Sequence, residues 1–219
     1  MMLRSALVAT LLAAAAFAQE PGAVPAAPRR VIADVPGLPR VLLIGDSISG
    51  GYNEPVRKLL AGKANVHHAG DLGGPTTTGV AHIDKLPAGP WDVVTFNYGL
   101  HDMKLDTGSH QVELPQYQAN LKVIVDALRK TGAKLIWVTT TPVPTGKLGP
   151  KRERADAPIY NEAAARALKD RIDAVCDLYT AVLPREPELQ LKENVHFSPA
   201  GYDFLAQQLA ASIEAQLKH

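Results

Sequence analysis

From residue 40 onward, short aliphatic runs alternate with stretches whose apolar positions recur every three to four residues. Val41, Leu42, Leu43 and Ile44 form an unbroken apolar run that stops at Gly45. Such a run is the signature of a strand buried on both faces. It predicts a strand over 41–45, and similar runs predict strands over 64–68, 91–96, 133–139 and 174–178. Helices are expected over 53–61, 76–85, 115–130, 156–173 and 199–217. Pro55 is tolerated in a first turn, and Thr76 stands where a helix cap is expected. The clearest helix is 115–130, where Tyr117, Leu121, Ile124, Val125 and Leu128 follow the 3.6-residue period and Thr131-Gly132 supplies the stop. Five strands alternating with helices imply a parallel sheet covered on both faces.

The first 39 residues follow a different pattern. Arg4 precedes an apolar stretch over 6–16, and Ala16-Phe17-Ala18 fits a small-x-small cleavage site before Gln19. Residues 1–18 are therefore expected to be a secretory signal peptide, too short for a comfortable membrane span. The mature chain is expected to be exported, to the periplasm or the medium, with no membrane span. Residues 19–39 hold Pro21, Pro25, Pro28, Pro36 and Pro39 and read as a proline-rich linker or strap. The domain then occupies 40–219. The stretch 142–158, rich in Pro, Gly and charge, is either a solvated loop or one that contacts substrate.

Charge narrows the function classes. The chain has 23 basic and 22 acidic residues, and loss of Arg4 with the leader makes the balance even. Such a chain has no basic field for nucleic acid. Cys176 is the only cysteine, which excludes an intrachain disulfide, and its apolar setting reads as a core thiol. His67, His68, His82 and His110 lack the spacing of metal ligands, so neither a metal nor an organic cofactor is expected. Trp91 and Trp137 read as core, and Tyr160-Asn161 as packing at a helix start.

The chemistry is concentrated at element edges. Gly45-Asp46-Ser47-Ile48-Ser49 follows the first strand, where open α/β sheets bind ligands. Ala69-Gly70-Asp71-Leu72-Gly73-Gly74-Pro75-Thr76 is a glycine-rich turn into a helix. Asn97-Tyr98-Gly99-Leu100-His101-Asp102 follows the third strand, and Glu193-Asn194-Val195-His196 precedes the last helix. An early serine and a late histidine at such edges point to nucleophilic catalysis. Taken singly, the serine reads equally well as a helix cap and the glycines as turn chemistry or an anion cradle.

Together the four segments resemble the SGNH (GDSL-type) hydrolase superfamily. The first block is matched by Gly45-Asp46-Ser47-Ile48-Ser49, and the second-block glycine by Gly74. The third block, Gly-x-Asn-Asp, is matched by Gly99-Leu100-His101-Asp102, with histidine in place of asparagine. The last, Asp-x-x-His, is matched by Glu193-Asn194-Val195-His196, with glutamate in place of aspartate. The resemblance implies a flavodoxin-like three-layer α/β/α sandwich with a central five-stranded parallel sheet. It also implies a serine esterase with Ser47 as nucleophile, His196 as general base and acid, and Glu193 orienting the ring; a backbone carbonyl is the alternative partner for His196. The oxyanion hole falls to the amides of Ser47 and Gly74 and the side chain of His101. Gly73, Asn97 and Asp102 are alternates: Asn97 as a fallback donor, Asp102 as the group that sets the His101 tautomer.

The expected substrate is a small-molecule or polysaccharide ester, with short acetyl esters on carbohydrate preferred. Lipase, lysophospholipase and thioesterase activities are alternatives, as are acyl transfer and a non-catalytic carbohydrate-binding role. The oligomeric state stays open.

Overall fold

The computed structural model describes residues 32–217. The expected leader, 1–18, and most of the proline-rich segment lie outside the described residues. Seven strands run in chain order: β1 (Arg40–Ile44), β2 (Asn65–His68), β3 (Val93–Phe96), β4 (Leu105–Asp106), β5 (Ser109–His110), β6 (Lys134–Val138) and β7 (Ala174–Cys176). Five form one parallel sheet in the order β2-β1-β3-β6-β7, while β4 and β5 make a small antiparallel hairpin. The helices are α1 (Ser47–Leu59), α2 (Thr76–His82), α3 (Leu114–Arg129), α4 (Asp156–Leu168), α5 (Leu178–Val182), α6 (Glu186–Leu189) and α7 (Pro199–Leu217).

The central strands are mostly apolar because both of their faces are covered, Thr95 being the polar residue buried within β3. Val41, Leu42, Val93, Val94 and Ile136 are fully buried. On one side α1 packs against α7; on the other α3 packs against α2 and α4. Gly51 permits the first contact, since a Cβ there would lie 2.1 Å from the Tyr202 ring. α3 buries the apolar stripe read from its period, with Asn120 added to it. Burial of each such large side chain contributes about 1.5–3 kcal/mol.

The order β2-β1-β3 reverses direction at β1, so the crevice beyond the carboxyl ends of β1 and β3 is the switch point where such sheets bind ligands. The end of the proline-rich segment is strapped to the β2 edge. Asn65 accepts the Val35 amide at 2.8 Å and donates to the Val35 and Leu38 carbonyls at 3.0 and 3.2 Å.

Three helix boundaries differ from the pattern, the plainest being α4, which ends at Leu168 rather than at residue 173. α1 starts at Ser47 rather than at residue 53, because Gly50-Gly51 interrupts the apolar period that would have marked its first turn. α2 ends at His82, and residues 83–85 continue as a tighter single turn. The Thr76 cap is also corrected. The residue preceding α2 is Pro75, and the Thr76 amide is received from afar by Asp102 Oδ1 at 2.9 Å.

Candidate active site

β1 leaves the sheet through Gly45 and Asp46. Asp46 caps α1, its Oδ1 accepting the Ile48 amide at 2.9 Å, which satisfies one of the free donors of the first turn. Ser47 is thereby held as the first helical residue at the carboxyl end of the sheet. His196 arrives from the turn before α7. It is 2% exposed, and its Nε2 lies 2.9 Å from Ser47 Oγ. The serine and histidine singled out from the sequence therefore meet across 149 residues of chain.

The partner of the histidine is a correction. Asn194 Oδ1 lies 2.7 Å from His196 Nδ1 and also accepts the His196 backbone amide at 3.0 Å. Only an oxygen can accept that backbone N–H, so the amide orientation is settled by the network. The same oxygen then receives the proton of Nδ1, and the Nε2 lone pair faces the Ser47 hydroxyl. With both ring nitrogens engaged, Glu193 does not hold the ring. Glu193 has φ +51 and is exposed, with its stem packed over Gly146. The left-handed backbone at 193 turns its side chain outward, and the three-residue spacing to histidine is spent on that turn. Asn194 carried a signal of its own: asparagine two residues before a backbone donor is the pattern of an Asx turn.

The glycine turn docks onto the nucleophile segment. A Cβ on Gly73 would lie 1.8 Å from the Gly45 carbonyl oxygen. Only glycine lets the two backbones approach so closely. Gly74, at φ +104, is carried beside the Ser47 turn by the same contact.

His101 sits at the rim, its Nε2 3.9 Å from Asp46 Oδ2 and its side chain 26% exposed. Burial lowers its pKa to about 4. Lys104, Arg152 and His196 push the same way, and Asp46 opposes them. The imidazole is therefore neutral at pH 7 and offers one N–H.

Two alternates are redirected. Asp102 does not set the His101 tautomer. It is fully buried, and its Oδ1 accepts both the amide and the hydroxyl of Thr76, at 2.9 and 2.5 Å. Asn120 in turn donates to the Thr76 hydroxyl at 3.0 Å. Burial raises the Asp102 pKa to about 6 against the pull of the Thr76 bonds. Asn97 is equally committed, since its Nδ2 donates to the Val138 carbonyl at 2.8 Å. It bolts β3 to β6 and also lines a small hollow with Ile48 and Leu100.

Two grooves flank the histidine turn. One, of about 470 Å³, is lined by Lys147, Leu148, Arg152, Lys192, Glu193 and Asn194 among others. The second, of about 310 Å³, shares Lys192 and Glu193 and runs toward Pro144 and Gln190. A small hollow beside Ile48 and Leu100 holds about 10 Å³, room for about one water-sized or methyl-sized group. The stretch 142–158, left open between loop and substrate contact, borders the larger groove. It is pinned by Arg152 Nε on the Leu100 carbonyl at 2.8 Å and by Arg154 on Glu186 at 2.7 Å. Arg152 is buried, although nothing in its sequence context marked it. Cys176 is buried with its thiol pKa pushed up to about 11 by burial. Among the described residues no cluster of His, Cys, Asp or Glu could hold a metal, and no helix is long and apolar enough to cross a membrane.

The model of the GDSL-like lipase/acylhydrolase family matches residues 43–204. Solved structures share the fold at low identity. A lipase/acylhydrolase from Enterococcus faecalis is 22% identical with a TM-score of 0.70, covering 82% of this chain and 97% of that one. An acetyl xylan esterase is 19% identical with a TM-score of 0.63, covering 80% and 99%. A catalytic mutant of an acetylxylan esterase from Geobacillus stearothermophilus is 20% identical with a TM-score of 0.66, covering 80% and 94%. No curated protein matches the chain by sequence.

Proposed function

The chain belongs to the GDSL-like lipase/acylhydrolase family and is an ester hydrolase, and from that premise we propose that it removes short acyl groups, acetyl above all, from carbohydrate. The observation that carries the catalytic part is the Ser47–His196–Asn194 relay, with successive contacts of 2.9 and 2.7 Å.

His196 Nε2 takes the Ser47 proton as Oγ attacks the ester carbon. The same proton passes to the departing alcohol oxygen, leaving an acyl-serine. Water, deprotonated by His196, then releases the acid and restores the hydroxyl. Asn194 holds the ring in the tautomer that leaves Nε2 free. Being neutral, it contributes orientation and a dipole rather than a full counter-charge to the imidazolium, as asparagine does in Cys-His-Asn enzymes. The amides of Ser47 and Gly74 and the neutral N–H of His101 receive the negative oxygen of the tetrahedral intermediate.

The short-acyl reading is supported by the roughly 10 Å³ hollow beside Ile48 and Leu100, which has space for a methyl-sized group and none for a fatty chain. The carbohydrate reading is supported by the charged and hydrogen-bonding side chains that line the grooves on either side of the histidine turn, Lys147, Lys192, Glu193 and Gln190 among them, and by the fold shared with acetylxylan esterases. We place the enzyme outside the cytoplasm, with residues 1–18 removed. N-terminal sequencing of the mature protein should then begin at Gln19.

The functional test is hydrolysis of 4-nitrophenyl acetate and butyrate by the wild type and by Ser47→Ala. The acetate should turn over faster, and Ser47→Ala should lose both activities. A butyrate rate equal to or above the acetate rate removes the short-acyl assignment, and activity surviving Ser47→Ala removes the nucleophile.

A further inference from the structure

Behind the nucleophile turn lies a second serine–histidine pair, which the acyl-transfer steps do not use. Ser49 and His68 are both buried, and Ser49 Oγ lies 3.0 Å from His68 Nε2. The same hydroxyl donates to the Asp46 carbonyl at 2.8 Å. A serine has one proton to give, and a carbonyl can only accept. The hydroxyl proton is therefore spent on Asp46, and the bond to the ring runs from the Nε2–H of His68 to Ser49 Oγ. The series has one direction, His68 to Ser49 to Asp46.

Its last acceptor is half of a peptide group that serves the reaction. The Asp46 carbonyl and the Ser47 amide belong to one planar trans unit and point in opposite directions. Ser47 is the first residue of α1, so its N–H has no acceptor within the helix and is left for the oxyanion. A capping carbonyl ordinarily accepts one helical bond, from the amide four residues on. Gly50 supplies that bond at 3.0 Å, and Ser49 Oγ adds a second. Each bond drawn on the oxygen polarises the amide at the other end of the unit.

His68 also stands at the root of the other amide donor. It ends β2 in register with Leu43 of β1, and the chain then turns through Gly70–Leu72 to Gly73 and Gly74. Ser49 is fixed from the opposite side, since a Cβ on Gly45 would lie 2.8 Å from the Ser49 Cβ. The two segments that carry the oxyanion amides are thus joined twice, by backbone contact at Gly73 and by the side chains of Ser49 and His68.

We propose that Ser49 and His68 are positioning residues for the oxyanion hole, their hydrogen bonds aiming and polarising the Ser47 amide. The proposal deepens the esterase reading and rests on it for the oxyanion.

The test separates the bond series from hydrolysis. Ser49→Ala and His68→Phe should each lower kcat on 4-nitrophenyl acetate by about 5–30-fold, less than the loss of a whole donor, because the amide is weakened and not removed. KM should hold, since the ground-state ester carries no oxyanion. The double variant should be no slower than the slower single one, as expected of a single series of bonds. His68→Gln, whose Nε2–H can replace that of the ring, should recover most of the loss; a packing role alone gives no such rescue. Ser49→Cys, which nearly keeps the volume but donates weakly, carries the same prediction should Ser49→Ala not fold. In two-dimensional NMR spectra the Ser47 amide proton should move upfield in Ser49→Ala and His68→Phe and return in His68→Gln, whether or not an ester is turned over.

Wild-type kcat in Ser49→Ala, additive losses in the double variant, or an unmoved Ser47 amide proton overturns the positioning role while Ser47-dependent hydrolysis stands. A moved amide proton with no Ser47-dependent hydrolysis by the wild type keeps the bond series and sinks the esterase reading.

Discussion

Asn194 Oδ1 is the point where two hydrogen bonds of the site converge, and its role can be separated from that of its neighbour Glu193. Asn194→Ala should lower kcat on 4-nitrophenyl acetate by about 10²-fold, the usual consequence of a misplaced catalytic group, while Glu193→Gln should stay near the wild-type rate. Asn194→Asp should move the acidic limb of the kcat/KM profile to higher pH, because an anion beside the ring favours the imidazolium. If Glu193→Gln proves the more damaging, the relay described here is wrong. His101 makes a second prediction. With its pKa lowered by burial to about 4, it stays neutral across pH 5 to 9, so donation to the oxyanion should not vary in that range. His101→Asn should keep the shape of the profile above pH 5, and His101→Ala should cost about 10²–10³ in kcat. Stopped-flow or plate assays across that range decide both. The meeting of Ser47 and His196 was legible in the sequence because glycine turns and apolar runs announce element edges. The contact of Asn194 with the His196 ring was not, because motif spacing counts residues and cannot show that position 193 adopts a left-handed backbone.

Among the elements, the α2 start shows how two loops are fastened together. Thr76 opens the helix, yet its amide is received by Asp102 from the loop after β3, which ties the glycine turn to the segment bearing His101. The arrangement has a pH signature. Asp102 in the folded chain has a pKa of about 6, raised by burial above the ordinary 3.8. The folded state then binds more protons than the unfolded one between those values, so this group's contribution is fully present below about 4 and is lost as pH rises through 6. The loss is on the order of 1–3 kcal/mol. His101 works oppositely, since its lowered pKa adds stability as pH rises from about 4 toward 6.5. Urea unfolding of Asp102→Asn between pH 4.5 and 7.5 should therefore reveal stability rising with pH, where the wild type is flatter. An unchanged slope would show that the carboxyl titrates normally. Strands were readable because parallel sheet interiors demand continuous apolar runs, whereas the β4–β5 hairpin, α5 and α6 are too short to develop a period. The beginning of α1 was hidden by Gly50 and Gly51, which have no side chain with which to mark a face.

Across the whole molecule, the catalytic crevice and the strap on the β2 edge are separate stability problems. Asn65 alone makes three hydrogen bonds to residues 35–38. Asn65→Ala should reduce the urea-derived stability by about 1–2 kcal/mol and leave kcat on 4-nitrophenyl acetate unchanged, since the strap does not reach the carboxyl ends of β1 and β3. A parallel fall in kcat would mean that the edge and the crevice are mechanically joined. The covered parallel sheet followed from the alternation of strands and helices, but the attachment of the strap depends on a polar residue at a strand's first position, which no hydrophobic pattern records.

The contact between Gly73 and Gly45 has a genetic consequence. At Gly51 the obstacle to a larger residue is the Tyr202 ring, so a shortened side chain at 202 can make room, and suppressor screens should recover such pairs. At Gly73 the obstacle is a backbone carbonyl, an atom that every residue at position 45 contributes. No substitution elsewhere can remove it. In a saturation library selected for activity, position 73 should admit only synonymous codons and yield no second-site revertants, whereas position 51 should be lost alone and regained in combination.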